Sequence, residues 1–468
     1  MQNNASAAPF SAYYKRETPA PDGLLTQSGP GTPLGEYMRR FWQPVCMTNQ
    51  LRDVPLRIRI LGEDLVAFRD KSGSYSVMQR HCVHRGASLE FGIIQEHGIR
   101  CAYHGFQFAP DGTIINAPAE RDCGKRLATC LSQGAYPTHE KDGLLFAFMG
   151  PPNEISDFPL YDAFDAYSDN ELVPFSNVFP CNWLQVIDNI ADQMHTSVLH
   201  NPTFLFQGSP PEGLDIERFS LNLFAGIPVI DYIPVRSNTA MVWMAGRRVS
   251  DDLVWIRMND LIVPNISQHA SLFEDGKQRR IFHRVHMSRW YVPVDDTNSI
   301  IYGWRMFGKS IDPNSKGRKH MVGWDQMDFL GGQVGDRTYE EGQKLPGDWE
   351  VIVGQRPIAI HALENPVQSD VGVYMLRKLI REAITGTNSM ASSSLMEERS
   401  KAAGKRYCYT QNNVLKLKKR SSDKEDQELI GKIGKGIVQI MSDADSLSPS
   451  ERNKFVVSEI EKLEAQYQ

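Results

Sequence analysis

Cys82-Val83-His84 and Cys101-Ala102-Tyr103-His104 constrain this chain more than anything else in it. Sixteen residues separate His84 from Cys101, so the pattern is Cys-x-His, a spacer, then Cys-x-x-His. Each half offers one soft thiolate and one imidazole. Finger-type zinc sites group their cysteines first and their histidines later. Here the two types interleave, which suits a two-iron, two-sulfide cluster with both thiolates on one iron and both imidazoles on the other. A structural zinc site of unusual order is the competing reading. Two facing β-hairpin loops would supply one Cys and one His each, and Gly86, Gly92, Gly98 and Gly105 suit tight loops around a bulky group. Replacing two thiolates by neutral imidazoles removes negative charge, so such a cluster is easier to reduce than an all-Cys one. His81 adjoins the pattern but lies outside it and reads as an exposed loop histidine.

A second dense group is Asp192-Gln193-Met194-His195-Thr196-Ser197-Val198-Leu199-His200. Two His and one carboxylate with open positions is the recipe for a non-heme Fe(II) that handles O₂. The apolar spacing from Asn182 to His200 predicts a helix. His195 and His200 would then lie about 140° apart around it. They face one metal only if the helix ends or bends between them. Asp192 and His195, three apart, share a side, so Asp192 fits a supporting or electron-bridging role better than a ligand's. A third ligand must come from elsewhere.

Around these motifs the chain reads as a multi-domain globular protein. Its 468 residues are 41% hydrophobic and 23% charged. A net charge of −5 gives no global basic field for nucleic acid. No apolar run is long enough for a membrane span and no signal peptide is apparent, so a cytoplasmic protein is expected. Seven cysteines, odd in number and scattered, do not make a disulfide scaffold. Residues 1–33 read as a loosely held lead-in. Residues 34–155 carry short alternating strands such as Leu56–Ile60, and Met149-Gly150-Pro151-Pro152 closes that block. Residues 156–400 mix strands with a helix from Val371 to Ile384. Residues 401–468 read as a helical extension, with Ser448-Pro449-Ser450-Glu451 starting a docking or oligomer-contact helix and Lys416–Arg420 as a solvated basic run. His283 and His286 sit in a strand-like run, on opposite faces unless it bulges.

Both constellations in this order resemble the Rieske non-heme iron oxygenases, over about Leu34 to Arg381. The phthalate-dioxygenase-like branch, with α subunits only, is the most similar. Supporting stretches are Gly35–Val45, Leu61–Asp70, Cys82–Leu89, Cys101–Gly105, Cys181–Gln185 and Trp290–Asp296. The resemblance implies an α+β chain: an all-β Rieske domain plus a helix-grip, START-like antiparallel-sheet catalytic domain. It implies that Cys82 and Cys101 bind one iron of a Rieske [2Fe-2S] cluster and His84 and His104 the other. His195 and His200 would bind a mononuclear Fe(II). Asp192 would be the catalytic bridging carboxylate that links a neighbouring subunit's cluster to an iron-ligand histidine. The third iron ligand implied is Asp348, nine residues ahead of Pro357-Ile358, with Asp370 as runner-up; Gly347 stands where the branch usually has Gln. Val83 and Ala102 replace common prolines, Phe106 a common Trp, and Asp188 a common Glu.

The expected activity is that of a terminal oxygenase. It would use O₂ and NADH-derived electrons from a reductase, with or without a ferredoxin, to hydroxylate a small aromatic compound by ring hydroxylation or oxidative O- or N-dealkylation. A homotrimer or dimer of trimers is expected, with no nucleic-acid and no membrane partner. The alternative is a Rieske electron-transfer protein without oxygenase activity.

Overall fold

The computed structural model describes residues 9–165, 168–200, 221–224, 226–236, 239–328, 332–386 and 406–468. Alternating apolar residues make two groups of strands. The first lies wholly between residues 43 and 147. β1 (Gln43–Met47), β10 (Thr138–Lys141) and β11 (Leu144–Ala147) form a three-stranded sheet in the order β1-β11-β10. β2 (Leu56–Ile60), β3 (Glu63–Arg69), β4 (Tyr75–Gln79) and β9 (Ala135–Tyr136) form a second sheet. β5 (Ile93–Ile94), β6 (Ile99–Arg100), β7 (Gln107–Phe108) and β8 (Ile114–Asn116) form a third. Val66, Phe68, Met78, Leu89, Ile99, Phe106 and Phe108 pack between the last two, with Cys82 and Cys101 in the same core.

The second group is one nine-stranded antiparallel sheet. Its strands are β12 (Glu171–Phe179), β13 (Val229–Val235), β14 (Ala240–Arg248), β15 (Leu253–Ile262), β16 (Ile266–Ala270), β17 (Arg280–His283), β18 (Val285–Asp295), β19 (Asn298–Phe307) and β20 (Gln411–Lys416). The main path runs β12-β19-β18-β16-β15-β14-β13. β15 is shared: its last residues pair with β16, while Leu253–Met258 pair with β20. The whole is α+β, as expected.

Period-2 alternation gives this sheet two distinct faces. Register aligns Trp243 with Asn259, Ala245 with Arg257, Ser267 with Arg289 and His269 with Met287. That face turns toward the helices Trp183–Ala191 and Val371–Thr385, whose Leu184, Val186, Ile187, Leu376, Leu379 and Ile380 join the large core. The opposite face carries Val242, Met244, Val254, Ile256 and Met258, covered by Ile430, Ile433 and Ile437 of the helix Asp423–Asp443 and Val456 and Ile460 of the helix Pro449–Ala465.

Three expectations change here. The C-terminal stretch is not an added helical piece: β20 completes the sheet, and its two helices cover the sheet's back. The basic run hides a strand end, because buried Leu415 and Leu417 alternate with exposed Lys416 and Lys418. The end of the lead-in is held as well, from Leu25 on. Leu25, Thr26 and Ser28 are buried; the indole N–H of Trp183 donates to the Leu25 carbonyl at 3.1 Å, and Ser28 N–H donates to Asp296 at 2.8 Å.

The third is the helix read from Asn182 to His200. Asn182 caps its start, accepting from Leu184 N–H at 3.1 Å, but it stops at Ala191 and a separate turn spans His195–Val198. Asp192 makes the break. Its backbone is extended, at φ −88° and ψ 97°. Its carboxylate accepts from Met194 N–H at 3.0 Å and His195 N–H at 3.4 Å, which caps the next turn. A carboxylate bonding forward to the backbone competes with helix continuation.

Candidate active site

The two cluster loops are built alike. Cys82 N–H donates to the Ala87 carbonyl at 2.9 Å, and Gly86 N–H to the Cys82 carbonyl at 2.8 Å. Cys101 N–H donates to Phe106 at 2.7 Å, and Gly105 N–H to Cys101 at 3.1 Å. Each loop thus turns on a glycine four residues after its cysteine. Gly86 and Gly105 have φ of 72° and 76°, a region that favours glycine. Gln133 ties the first loop down: its Oε1 accepts from Val83 N–H at 2.7 Å, and its Nε2 donates to the carbonyls of Gln79 and His81.

The four side chains sort by depth. Cys82 and Cys101 are free thiols and each is 3% exposed. His84 is exposed and His104 half-buried, with ring centroids 4.7 Å apart. Phe106 stacks on His84 at 4.6 Å. Burial pushes the Cys82 thiol up to about 11, so a thiolate here needs a metal's positive charge beside it. Buried soft donors and outward imidazoles fit a cluster that trades electrons through its histidine edge. His81 is exposed, its Nδ1 3.1 Å from the Gly86 carbonyl, and takes no part.

The second group also converges. The break at Asp192 frees the His195 turn, which ends before His200, so the helical angle no longer separates the rings. The Nε2 atoms of His195 and His200 lie 3.5 and 3.4 Å from one oxygen of Asp348. Donor atoms of all three residues lie within 4.8 Å of one another. His195 Nδ1–H bonds the Asp192 carbonyl, which leaves Nε2 as the lone-pair nitrogen facing Asp348. Asp348 opens the short helix Asp348–Val353. Gln333 Nε2 donates to its other oxygen at 2.6 Å. Gln185 holds that helix against the one ending at Asp192, donating to the carbonyls of Ile352 and Arg356 and accepting from Ala359 N–H, each at 2.9 Å. Asp370 lies apart from this group, its carboxylate accepting from Val367 N–H.

A family model described as the Rieske [2Fe-2S] domain matches residues 41–132. The "Tert-butanol monooxygenase / tert-amyl alcohol desaturase oxygenase subunit" of Aquincola tertiaricarbonis is 44% identical over 461 residues, 97% of this chain and 96% of that relative. "Phenoxybenzoate dioxygenase subunit alpha" of Ectopseudomonas oleovorans is 34% identical over 381 residues, 78% and 85% of the two chains. The chain belongs to the Rieske non-heme iron oxygenases. A solved structure of Pseudomonas putida CBB5 NdmB shares the fold, with a TM-score of 0.55 at 18% identity over 80% of this chain and 97% of that one. This Rieske oxygenase is a terminal oxygenase subunit with a two-iron, two-sulfide cluster and a mononuclear iron. The electron-transfer and zinc readings are set aside, because the likeness to oxygenase subunits runs the length of the chain. No helix among the described residues is long and apolar enough to cross a membrane.

Electrostatics at His195 and Asp348 suit a metal site. Burial lowers His195, outweighing the pull of Asp348, so the ring is neutral at pH 7. Burial alone would raise Asp348, but His200 beside it and the Gln333 hydrogen bond hold it far below the usual carboxylate range. His195 lies between two spaces. One is a cavity under the sheet, lined by Trp243, Phe224, Arg257, Asn259, His269 and Arg289. The other is an open groove past Asp192, Asp188, Tyr374 and Arg377. The Asp192 carboxylate fronts that groove, and Asp192 meets His195 through its carbonyl and through the His195 N–H bond above. Arg377 bridges Asp188 at 2.6 Å and Glu364 at 2.6 Å, so the shorter Asp188 still finds its cation.

Sequence reasoning missed Gln333, Gln185 and Arg247. Arg247 donates to Thr196 Oγ1 at 3.2 Å and Ser197 Oγ at 3.5 Å, inside the segment between the two histidines. It also missed Arg257, Asn259, His269 and Arg289. Their signal was present: polar residues two apart inside apolar strand runs, as in Ile256-Arg257-Met258-Asn259. His283 and His286 are buried at the junction of β17 and β18 and do not line the cavity.

Proposed function

We propose that Cys82, His84, Cys101 and His104 hold the Rieske cluster and that His195, His200 and Asp348 hold the mononuclear iron. The observation that carries this is the convergence of two Nε2 atoms on one Asp348 oxygen from segments 150 residues apart in sequence. A ferrous iron held by two histidines and one carboxylate would keep positions open and would supply the chemistry for O₂. The chain's own residues then do the rest. Gln333 and Asn189 orient Asp348, and the Asp192 carbonyl fixes the His195 tautomer. Trp243 and Phe224 give the cavity apolar walls that hold a small substrate and keep water out.

Asp192 is the electron bridge in this reading. It faces the open groove on one side and touches His195 on the other, so a partner subunit seated in the groove would reach the iron through two residues. This favours an oligomer, which we take to be a homotrimer supplied with electrons by an NADH-linked reductase in the cytoplasm. The substrate we propose is a small aromatic compound, hydroxylated or dealkylated. The relatives' names span a tertiary alcohol and an aromatic acid. The test is turnover with a surrogate reductase and a substrate panel, scored by product mass. Wild type gains one or two oxygens or loses an alkyl group. His195→Ala abolishes product while the cluster's EPR signal persists; unchanged turnover in His195→Ala would sink the assignment.

A further inference from the structure

Arg257 is a buried cation without an answering charge. It lies in β15 between Ile256 and Met258 and is 4% exposed. Its one side-chain hydrogen bond among the described residues runs from Nη2 to the Ala270 carbonyl at 3.2 Å, and its buried Nε has no partner. Among the described residues no carboxylate reaches it. Its neighbours are instead aromatic or cationic. The rings of Trp243 and Phe224 lie 5.4 and 5.6 Å from its Cζ. Burial, with Arg247 and Arg289 nearby, brings it down to about 9. Buried charges are as a rule paired, since desolvation costs several kcal/mol otherwise.

The cavity it faces does not supply the pair. Asp348 is the one carboxylate among the described residues lining that cavity, and it is turned onto His195 and His200. His269 cannot share the role. Asn259 Oδ1 accepts from Ala270 N–H at 2.9 Å, so its Nδ2 donates to His269 Nδ1 at 3.1 Å. The His269 proton therefore sits on Nε2, 2.7 Å from Ser267 Oγ. Both ring nitrogens are used and the ring is neutral. Arg257 is left as a fixed donor pointing at the space beside the two histidines.

We infer that this cavity takes a substrate bearing a carboxylate, with Arg257 as its counter-ion, Arg289 beside it, and the hydrocarbon part against Trp243 and Phe224. A single carboxylate supplies the one charge that Arg257 lacks, and the planar guanidinium is the side chain best matched to it. The inference rests on the oxygenase reading above, which makes this cavity the substrate's.

Binding tests it without turnover. Iron-loaded enzyme, kept anaerobic and without reductase, is titrated by calorimetry with benzoate against benzamide, and with pivalate against tert-butanol. Each pair keeps a similar shape and differs in charge. Both anions bind at least about tenfold tighter than their neutral partners, because an unpaired buried charge is costly to leave. Arg257→Gln removes that preference; Arg257→Lys keeps part of it. Equal or tighter binding of the neutral partners overturns the inference. So does failure of both anions to bind below 10 mM, or an anion preference that survives in Arg257→Gln. Should Arg257→Gln not fold, wild type and Arg257→Lys decide. Failure of the oxygenase reading shows separately, as turnover or iron retained in His195→Ala, and would leave the charge preference itself in place.

Discussion

Removing Arg377 should destabilise this oxygenase in a way that depends on pH. Its guanidinium donates to Asp188 at 2.9 and 2.6 Å and to Glu364 at 2.6 and 2.9 Å, joining the helix that ends at Asp192 to the helix Val371–Thr385. Asp188 is 6% exposed, and its second oxygen has no hydrogen-bond partner. Even with Arg377 beside it, burial raises Asp188 to about 6. In Arg377→Met the burial acts unopposed and the carboxyl rises further. A carboxyl raised in the folded state holds its proton more tightly there than in the unfolded chain. Stability therefore falls as pH rises from about 4 to the folded pKa, by up to about 1.4 kcal/mol per pH unit. Wild type has finished losing stability by about pH 6, whereas the variant goes on losing it above that. The gap between them should widen by roughly 2–3 kcal/mol from pH 6 to pH 8, toward the roughly 3–5 kcal/mol of a broken buried pair. Thermal unfolding followed by near-UV circular dichroism at both pH values reads this directly. Asp188→Asn combined with Arg377→Met removes the stranded charge and should recover most of the loss at pH 8. A gap of equal size at pH 6 and pH 8, or a double variant no more stable than the single one, would refute the reasoning.

Other outcomes follow from the same geometry. Asp348→Asn should lower iron content and abolish product, with the cluster's visible absorption unchanged. Gln333→Leu removes the 2.6 Å bond on Asp348 and should weaken iron binding about 10–100-fold, read by competition with a chelator. Cys82→Ser or Cys101→Ser should abolish the cluster's EPR signal, whereas Cys181→Ser, buried away from both loops, should leave it intact. Ile437→Ala, on the back of the large sheet, should cost roughly 2–5 kcal/mol in thermal unfolding without changing iron content.

The cluster loops were the most legible part of this chain. Their chemistry is local: four donors lie within 23 residues, and each loop's glycine follows its own cysteine. The two histidines were legible too, and the conflict between their spacing and a continuous helix pointed to a break. What the periodicity could not show was its place, because Asp192 ends the helix through its own carboxylate. Asp348 came from a resemblance, since nothing local ties it to a histidine about 150 residues away. Gln333 was invisible, as amides look alike wherever they stand, and Gln185 stood in a matching stretch without a role that its position could show. β20 was missed because its buried first half is polar, Gln411-Asn412-Asn413, and its last residue is the exposed Lys416 of a basic run. Arg257 broke the apolar pattern of its strand, and buried charge of that kind marks a site rather than a core.

The order of the strands along the chain sets an order of events at the ribosome. All eleven strands of the three small sheets lie between residues 43 and 147. They can pair, and the loops around Cys82 and Cys101 can close, while two thirds of the protein is still unmade. The large sheet has no such freedom. β15 holds its edge open for β20, and the back of β14 and β15 stays uncovered until the last helices emerge. Domains form in sequence during synthesis, and long-range strand pairing is slow. The loops around Cys82 and Cys101 can thus form early, whereas the sheet behind His195, His200 and Asp348 is completed only near the end of synthesis. A message truncated before residue 411 would yield a coloured, cluster-bearing protein with an unclosed catalytic half, exposed apolar strands and a strong tendency to aggregate.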